Sequence, residues 1–474
     1  MTDCARPHCI AADGGLRGLL TANRMMPGPG IHVCEGDTIR VRVHNKMENS
    51  ESVTLHWHGV LQEGTPYMDG VAMVTQCPIP PHTAFTYVFK ADTPGTHFWH
   101  AHSGLQRGDG LYGNLVIRRF PDREPHILLY DYDLPQHTLV VHDWWNRDIA
   151  STFAQHHHSD GTNKPDSLLI NGKGLFHEIQ NKETGENSTT PREVFEVVQG
   201  SRYRFRVASN GIMNCPIKIS VDDHLMQIVA SDGYSVEPVE VQYFNIFAGE
   251  RFDFILTANQ SVGNYLLRAQ GELDCGPLFK NAQQTAILHY SGASRDSHYW
   301  IPPPSLNGKG LNPINRRGSD AEITVHHLKS VAKEDRDDLS LKRIPDHKIV
   351  LAMDFTVINN PRFHDKDFYS VDQFPIGNKN LQTPQINNIT NMFPPSPALT
   401  QLDRISKDMF CNNETLRDRD CAEDLCECVH FYHVNLGDVV ELILVDQGHI
   451  WDTANHPTHL HGHGFRVIAM DKVN

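Results

Sequence analysis

A glycine followed by alternating apolar residues recurs three times along the chain, and this recurrence constrains the fold more than any other feature. The three segments are Gly36 to Val43, Gly200 to Val207 and Gly437 to Leu444. Positions three, five and seven after each glycine are apolar: Ile39, Val41 and Val43; Tyr203, Phe205 and Val207; Val440, Leu442 and Leu444. Period two places those side chains on one face of a half-buried strand, and three copies of the pattern mark three copies of one structural unit. The intervening turns are rich in Gly and Pro, as in Pro27-Gly28-Pro29-Gly30 and Thr93-Pro94-Gly95. Short strands with frequent turn signals predict β-sandwiches or barrels, and no long helical period is present. The repeat divides the chain into a first domain over 1–120, a second over 121–294, a Pro-, Gly- and charge-rich linker over 295–343, and a third domain over 344–474. A length of 474 residues fits that count.

The repeat also carries a length argument. From Gly36 to Ile117 is 81 residues and from Gly200 to Tyr290 is 90, whereas 37 residues follow Gly437. A barrel that lacks its last strands has unpaired edges and an open core, so the chain is expected to be a C-terminally incomplete version of a longer protein. Net charge is −15 with no basic cluster, which argues against a nucleic-acid partner. The longest apolar runs, such as Ile127–Tyr130, fall far short of the roughly 20 residues that span a bilayer, so no transmembrane helix is predicted.

The 10 cysteines form no paired C-x-x-C zinc knuckles, and Cys411, Cys421, Cys426 and Cys428 read as a stapled loop. With four N-x-[ST] sequons, at Asn187, Asn259, Asn388 and Asn413, an even cysteine count points to an oxidising, extracellular setting. Met1-Thr2-Asp3-Cys4 does not open a signal peptide, so the leader is expected to have been removed or to lie outside an incomplete N-terminus.

Histidine is over-used, with 30 residues, and three clusters stand out. They are His56-Trp57-His58-Gly59, His97-Phe98-Trp99-His100-Ala101-His102-Ser103-Gly104, and His456-Pro457-Thr458-His459-Leu460-His461-Gly462-His463. On a strand, each His-x-His sets two imidazoles side by side, a donor type that suits Cu, Zn, Fe and Ni. His56 lies 20 residues after Gly36 and His459 lies 22 after Gly437, while the matching stretch of the second domain holds only His224. Domains one and three are therefore expected to face each other and build one polynuclear metal site, with domain two as a spacer. The run His156-His157-His158 reads as a solvated loop, and His224 as structural.

These motifs, together with Tyr67-Met68-Asp69-Gly70, Thr75-Gln76-Cys77-Pro78-Ile79 and Ser167-Leu168-Leu169-Ile170-Asn171-Gly172, resemble the multicopper oxidases, and more narrowly the arthropod laccase-type members. The resemblance implies an all-β chain of three consecutive cupredoxin-like Greek-key β-barrel domains, the third incomplete. It implies a trinuclear copper cluster between the first and third. His56 and His459 would hold the type 2 copper; His58, His100, His102 and His461 the binuclear type 3 pair; His456 the type 1 copper where electrons enter. Asp69 would be a carboxylate behind the ligands that assists proton delivery; its other reading is a turn aspartate before Gly70. The implied reaction oxidises diphenols or related phenolic substrates and reduces dioxygen by four electrons to water.

One departure bears on activity. The family's fourth motif, a His-Cys-His followed by a further His, is not found, and no cysteine follows Cys428. A type 1 site needs that thiolate, so the chain as given is expected to be inactive and to lack a strong blue copper–thiolate band. Cys77, which by the resemblance pairs with a C-terminal tail, is expected to be a free thiol, the alternative being a local bridge to Cys34. Other enzymatic readings are a ferroxidase or ascorbate oxidase; readings of another class are an inactive copper-binding isoform and a zinc hydrolase, which lacks an H-E-x-x-H or H-x-H-x-D motif.

Overall fold

The three repeat glycines each open a strand. Gly36, Gly200 and Gly437 have φ of +87°, +85° and +93°, in the left-handed region that favours glycine. The strands that follow are Thr38–His44, Arg202–Ser209 and Val440–Asp446. The structure is a computed structural model that describes residues 10–48, 51–156, 164–175, 177–180, 185, 187–213, 215–294, 304–314, 322–358, 382–448 and 455–471. His157 and His158 lie outside the described residues; His156 ends a short helix, Ile149–His156, rather than lying in a loop.

The first unit contains β1 (Ile31–Cys34), β2 (Thr38–His44), β3 (Leu55–His58), β4 (Ala84–Lys90), β5 (Gly95–Ala101) and β6 (Tyr112–Arg118). One sheet runs β1-β6-β5-β3 and the other pairs β2 with β4. β1 runs parallel to β6, a pairing that needs a long crossover rather than a hairpin. Between the sheets pack Ile39, Trp57, Tyr87, Phe89, Trp99 and Leu115.

The second unit repeats this plan at larger scale, with a six-stranded and a seven-stranded sheet around a core that includes Phe205, Ile219, Phe244, Phe254 and Tyr290. The disulfide Cys215–Cys275 staples it. Part of the segment read as a linker joins this unit: Gly310–Leu311 and Glu322–Ile323 extend the edge of the seven-stranded sheet. A third apolar cluster, with Phe98 and Tyr112 from the first unit and Val140, Trp144, Leu169 and Ala208 from the second, glues the two together.

Among the described residues the C-terminal unit has two three-stranded sheets. In one of them, Val440–Asp446 runs parallel to His347–Val357. Its alternating residues are less covered than their counterparts: Leu442 and Leu444 are 39% and 40% exposed, against 4% for Ile39 and 0% for Phe205. Disulfides Cys411–Cys428 and Cys421–Cys426 staple the cysteine-rich loop, whereas Cys34 and Cys77 are both exposed and unbridged.

Candidate metal centre

Strand register builds the first half of the site. β3 lies antiparallel to β5 with His56 opposite His100, Trp57 opposite Trp99 and His58 opposite Phe98. Because side chains alternate, Trp57 and Trp99 enter the core of the first unit. His56, His58 and His100 are carried on the opposite face, beside Phe98, whose ring stacks on His58 at 4.6 Å. His102 follows the end of β5, its N–H donating to the Thr54 carbonyl at 3.0 Å.

The second half comes from a stretch without regular structure. The expectation that the third histidine cluster lies on a strand does not hold: residues 455–471 form no strand, and His461 and Gly462 make a turn. The two rings reach the cluster nonetheless. His459 stacks on His58 with centroids 3.9 Å apart, and His461 sits 4.2 Å from His56 and 5.0 Å from His102. Ring nitrogens approach in pairs, Nε2 of His459 to Nε2 of His56 and Nδ1 of His58 to Nε2 of His100, each at 3.4 Å.

Asp69 joins the halves. It follows the short helical turn Pro66–Met68 and precedes Gly70, at φ +81°, so the turn reading describes its backbone. Its side chain, 6% exposed, accepts from Nδ1 of His461 at 2.8 Å through Oδ2. Nδ1 of His56 donates to the Asp69 carbonyl at 2.8 Å. The Asp69 Oδ1 lies 3.1 Å from that same nitrogen; because the N–H is aimed at the carbonyl, Oδ1 has no aligned donor among the described residues. With both Nδ1 atoms engaged, His56 and His461 present Nε2 to the centre.

Electrostatics and burial favour the neutral form at His56, His58, His100, His102 and His459. Burial is the main cause that lowers His58 and His100 well below the ordinary imidazole range, helped by His459 and Arg251 at the first and by Arg107 at the second. Burial and the neighbours His56 and His461 push His102 down to about 3. His459 falls too: although the residue is exposed as a whole, its ring loses water against the cluster, and His461 and His56 add repulsion. Burial raises Asp69, but the hydrogen bond from His461 and the proximity of the His56 and His461 rings outweigh it and hold the carboxyl well below its usual range.

Two sets have one ligand atom each within 4.8 Å of the others: His56, His58 and His100, and His56, His459 and His461. Imidazoles converging around two overlapping sets, with no thiolate beside them among the described residues, fit a group of copper ions. His456 makes its contacts elsewhere, with Nδ1 2.7 Å from Asp446 Oδ2 and its ring beside Phe355 at 5.7 Å. His224 is a buried core histidine, bonded to the Asp222 carbonyl and the Tyr290 hydroxyl, both at 2.6 Å. Sequence reasoning missed Gly249 and Arg251 of the second unit, the first bordering His58 and the second bordering Gly59; no local pattern around them carries a signal for it.

Models of multicopper oxidase domains match residues 5–122, 136–293 and 391–474. Laccase-2 of Agaricus bisporus is 31% identical over 97% of this chain and 76% of its own length. Laccase-4 of Trametes villosa is 29% identical over 97% of this chain and 76% of its own. Among solved structures, Fet3p, a multicopper oxidase that functions in iron import, superposes with a TM-score of 0.67 at 22% identity, covering 93% of this chain and 70% of that one. The laccase from Botrytis aclada gives 0.60 at 23% identity, covering 83% and 65%. The all-β architecture of three cupredoxin-like domains accords with these neighbours.

Proposed function

The chain belongs to the multicopper oxidase family, and from that premise we propose that it is the laccase-like scaffold for oxidation of diphenols or related phenols coupled to reduction of dioxygen to water. The observation that carries the reading is the convergence of His56, His58, His100, His102, His459 and His461 at one place. We assign His56 and His459 to the type 2 copper, and His58, His100, His102 and His461 to the type 3 pair. His456 is assigned to the type 1 copper, with domains over 1–120, 121–294 and 344–474 and a linker over 295–343.

Copper held by these histidines would supply one-electron transfer between the phenol and dioxygen. The protein's own part is geometric and protic. β3 and β5 hold three rings at fixed spacing before anything binds. Asp69 fixes which nitrogen His461 presents, and its main-chain carbonyl does so for His56. Oδ1 of Asp69, without an aligned donor, is the oxygen through which the carboxylate would assist proton delivery to the centre. A type 1 site needs a thiolate beside His456, and Cys411, Cys421, Cys426 and Cys428 are tied in disulfides.

The finer arthropod-type assignment rests on the motifs alone, beside relatives that are fungal. Extracellular localisation and glycosylation are supported by three disulfides among the described residues and by the exposed sequon residues Asn259, Asn388 and Asn413. Among the described residues no helix is long and apolar enough to cross a membrane.

The test is copper loading of this chain, with metal analysis, a visible spectrum and oxygen uptake on a diphenol. The expected result is copper bound at the imidazole cluster and lost on replacing His100 and His102 by Ala, with no strong blue band and no phenol-driven oxygen uptake. Copper retained in that double variant overturns the ligand assignment. A blue band and turnover overturn the expectation that no cysteine thiolate joins His456.

A further inference from the structure

The second unit, expected to be a spacer, reaches the cluster through the turn Phe247 to Arg251. A Cβ on Gly249 would lie 3.0 Å from Cε1 and 3.3 Å from Nε2 of His58, so the Gly249 backbone borders the imidazole edge. The turn is tightly held. Gly249 N–H donates to the Ser209 carbonyl at 2.9 Å, and Ser209 N–H donates to the Glu250 carbonyl at 3.1 Å.

Arg251, 5% exposed, ties this turn to the first unit. Its Nε donates to the Thr96 carbonyl at 3.2 Å, Nη1 to the Gly249 carbonyl and to Asp232 Oδ1 at 3.0 Å each, and Nη2 to the Asp232 carbonyl at 3.0 Å. The same guanidinium borders Gly59, the residue after His58. A Cβ there would lie 2.6 Å from Nη2 of Arg251 and would overlap Nδ1 of His97. His97 is itself buried and oriented, with Nε2 donating to the Thr93 carbonyl at 2.7 Å.

We infer that Arg251 is a positioning residue for the metal centre, bracing Gly59 on one side of His58 and the Gly249 turn on the other, and bringing a fixed cation, paired on its outer side with Asp232, next to that ligand. This rests on the copper-binding reading. Lysine carries the charge but lacks the planar fork that reaches several acceptors at once, and glutamine lacks both. A fixed cation also disfavours the more highly charged metal ion, so its removal favours cupric over cuprous copper.

Competition with cupric- and cuprous-selective chelators tests this on the 474-residue protein. Arg251→Gln should raise the cupric-over-cuprous preference on the order of tenfold. Arg251→Lys should leave that ratio within about twofold of wild type and weaken binding of both ions. Gly249→Ala, which inserts a methyl against His58, should weaken both ions on the order of tenfold with the ratio unchanged. Wild-type behaviour of all three variants overturns the inference, as does an equal change of ratio in Arg251→Gln and Arg251→Lys. If Arg251→Gln does not fold, Gly249→Ala decides: wild-type affinity overturns the inference and weakened affinity supports it. A wild-type chain that binds no copper at all overturns the copper reading and this inference together, whereas wild-type binding with indifferent variants overturns this inference alone.

Discussion

The two halves of the imidazole cluster are built by different means. His56, His58 and His100 stand on paired strands and are 1%, 4% and 3% exposed. His459 and His461 stand on a chain without regular structure, and the His461 side chain is 32% exposed. In the first half, the entropy of ordering the rings is lost when the sheet forms, because backbone pairing and the burial of Trp57 and Trp99 fix the strands. In the second, ordering depends on a few local contacts: the bond from His461 to Asp69, the stack of His459 on His58, and the pairing of Arg466 with Asp335. The first half is therefore a rigid template and the second a docked segment. Substitutions should unfold the one and release the other.

The largest effect is expected where the template is tightest. Gly70 follows Asp69 at φ +81°, and a Cβ there would overlap the Leu55 carbonyl beneath His56. Gly70→Ala combines left-handed strain with a backbone clash that no side-chain rotation relieves, and should cost about 3 kcal/mol or more. Urea unfolding of the metal-free protein measures it. A cost below about 1 kcal/mol would mean that β3 shifts easily and is no rigid template.

Next comes the link between the halves. Asp69→Asn keeps the shape but leaves one oxygen where two faced the histidines. His56 retains its bond to the Asp69 carbonyl, so the loss should fall on His461. Copper affinity should drop about 10- to 100-fold. In a His461→Ala background the same substitution should do much less, because the two residues act as one unit. An undiminished effect there would place the role of Asp69 on the template side instead.

Acid should separate the halves by a smaller amount. Burial pushes His97 down to about 3, and burial with its imidazole neighbours does the same to His102. Between the ordinary imidazole value near 6.5 and these values, the unfolded chain binds the proton and the native chain does not. Stability of the metal-free protein is thus complete above about pH 6.5 and falls with acidification towards about pH 3, by about 1.4 kcal/mol per pH unit for each such histidine. His97→Gln should lower the slope measured between pH 6 and 5 by about one proton; an unchanged slope would mean that this ring is protonated in the fold.

What could be read from the sequence follows the same division. Period-two alternation is a local property, so the three strands after Gly36, Gly200 and Gly437 were legible, as was the shared face of His56 and His58. Near Leu460 the same His-x-His spacing suggested a strand that the structure lacks, because a strand needs a partner and spacing alone supplies none. At Asp69 the turn reading and the carboxylate reading describe backbone and side chain of one residue. The border that Gly249 forms at His58 and Arg251 at Gly59 was illegible, since it depends on how the first and second units pack and leaves no periodic trace.

The smallest effect is expected at the outer edge of the docked segment. Arg466 pairs with Asp335 Oδ1 at 3.1 Å and with Asp338 Oδ2 at 2.9 Å, and all three side chains are between 33% and 39% exposed. Solvent screens such pairs, and holding long side chains in register costs entropy, so they contribute little. Arg466→Ala should change copper affinity at the His459–His461 half no more than a few-fold, and less still at 1 M salt, where the Debye length shrinks to about 3 Å. The comparison with Asp69→Asn is what gives the measurement its force. If the segment is held from the metal side, through Asp69 and the stack on His58, the buried substitution dominates and the exposed one is marginal. If Arg466→Ala instead releases copper as strongly as Asp69→Asn does, the segment is anchored from the Asp335–Asp338 side, and the imidazoles are carried into place by that anchor rather than by Asp69.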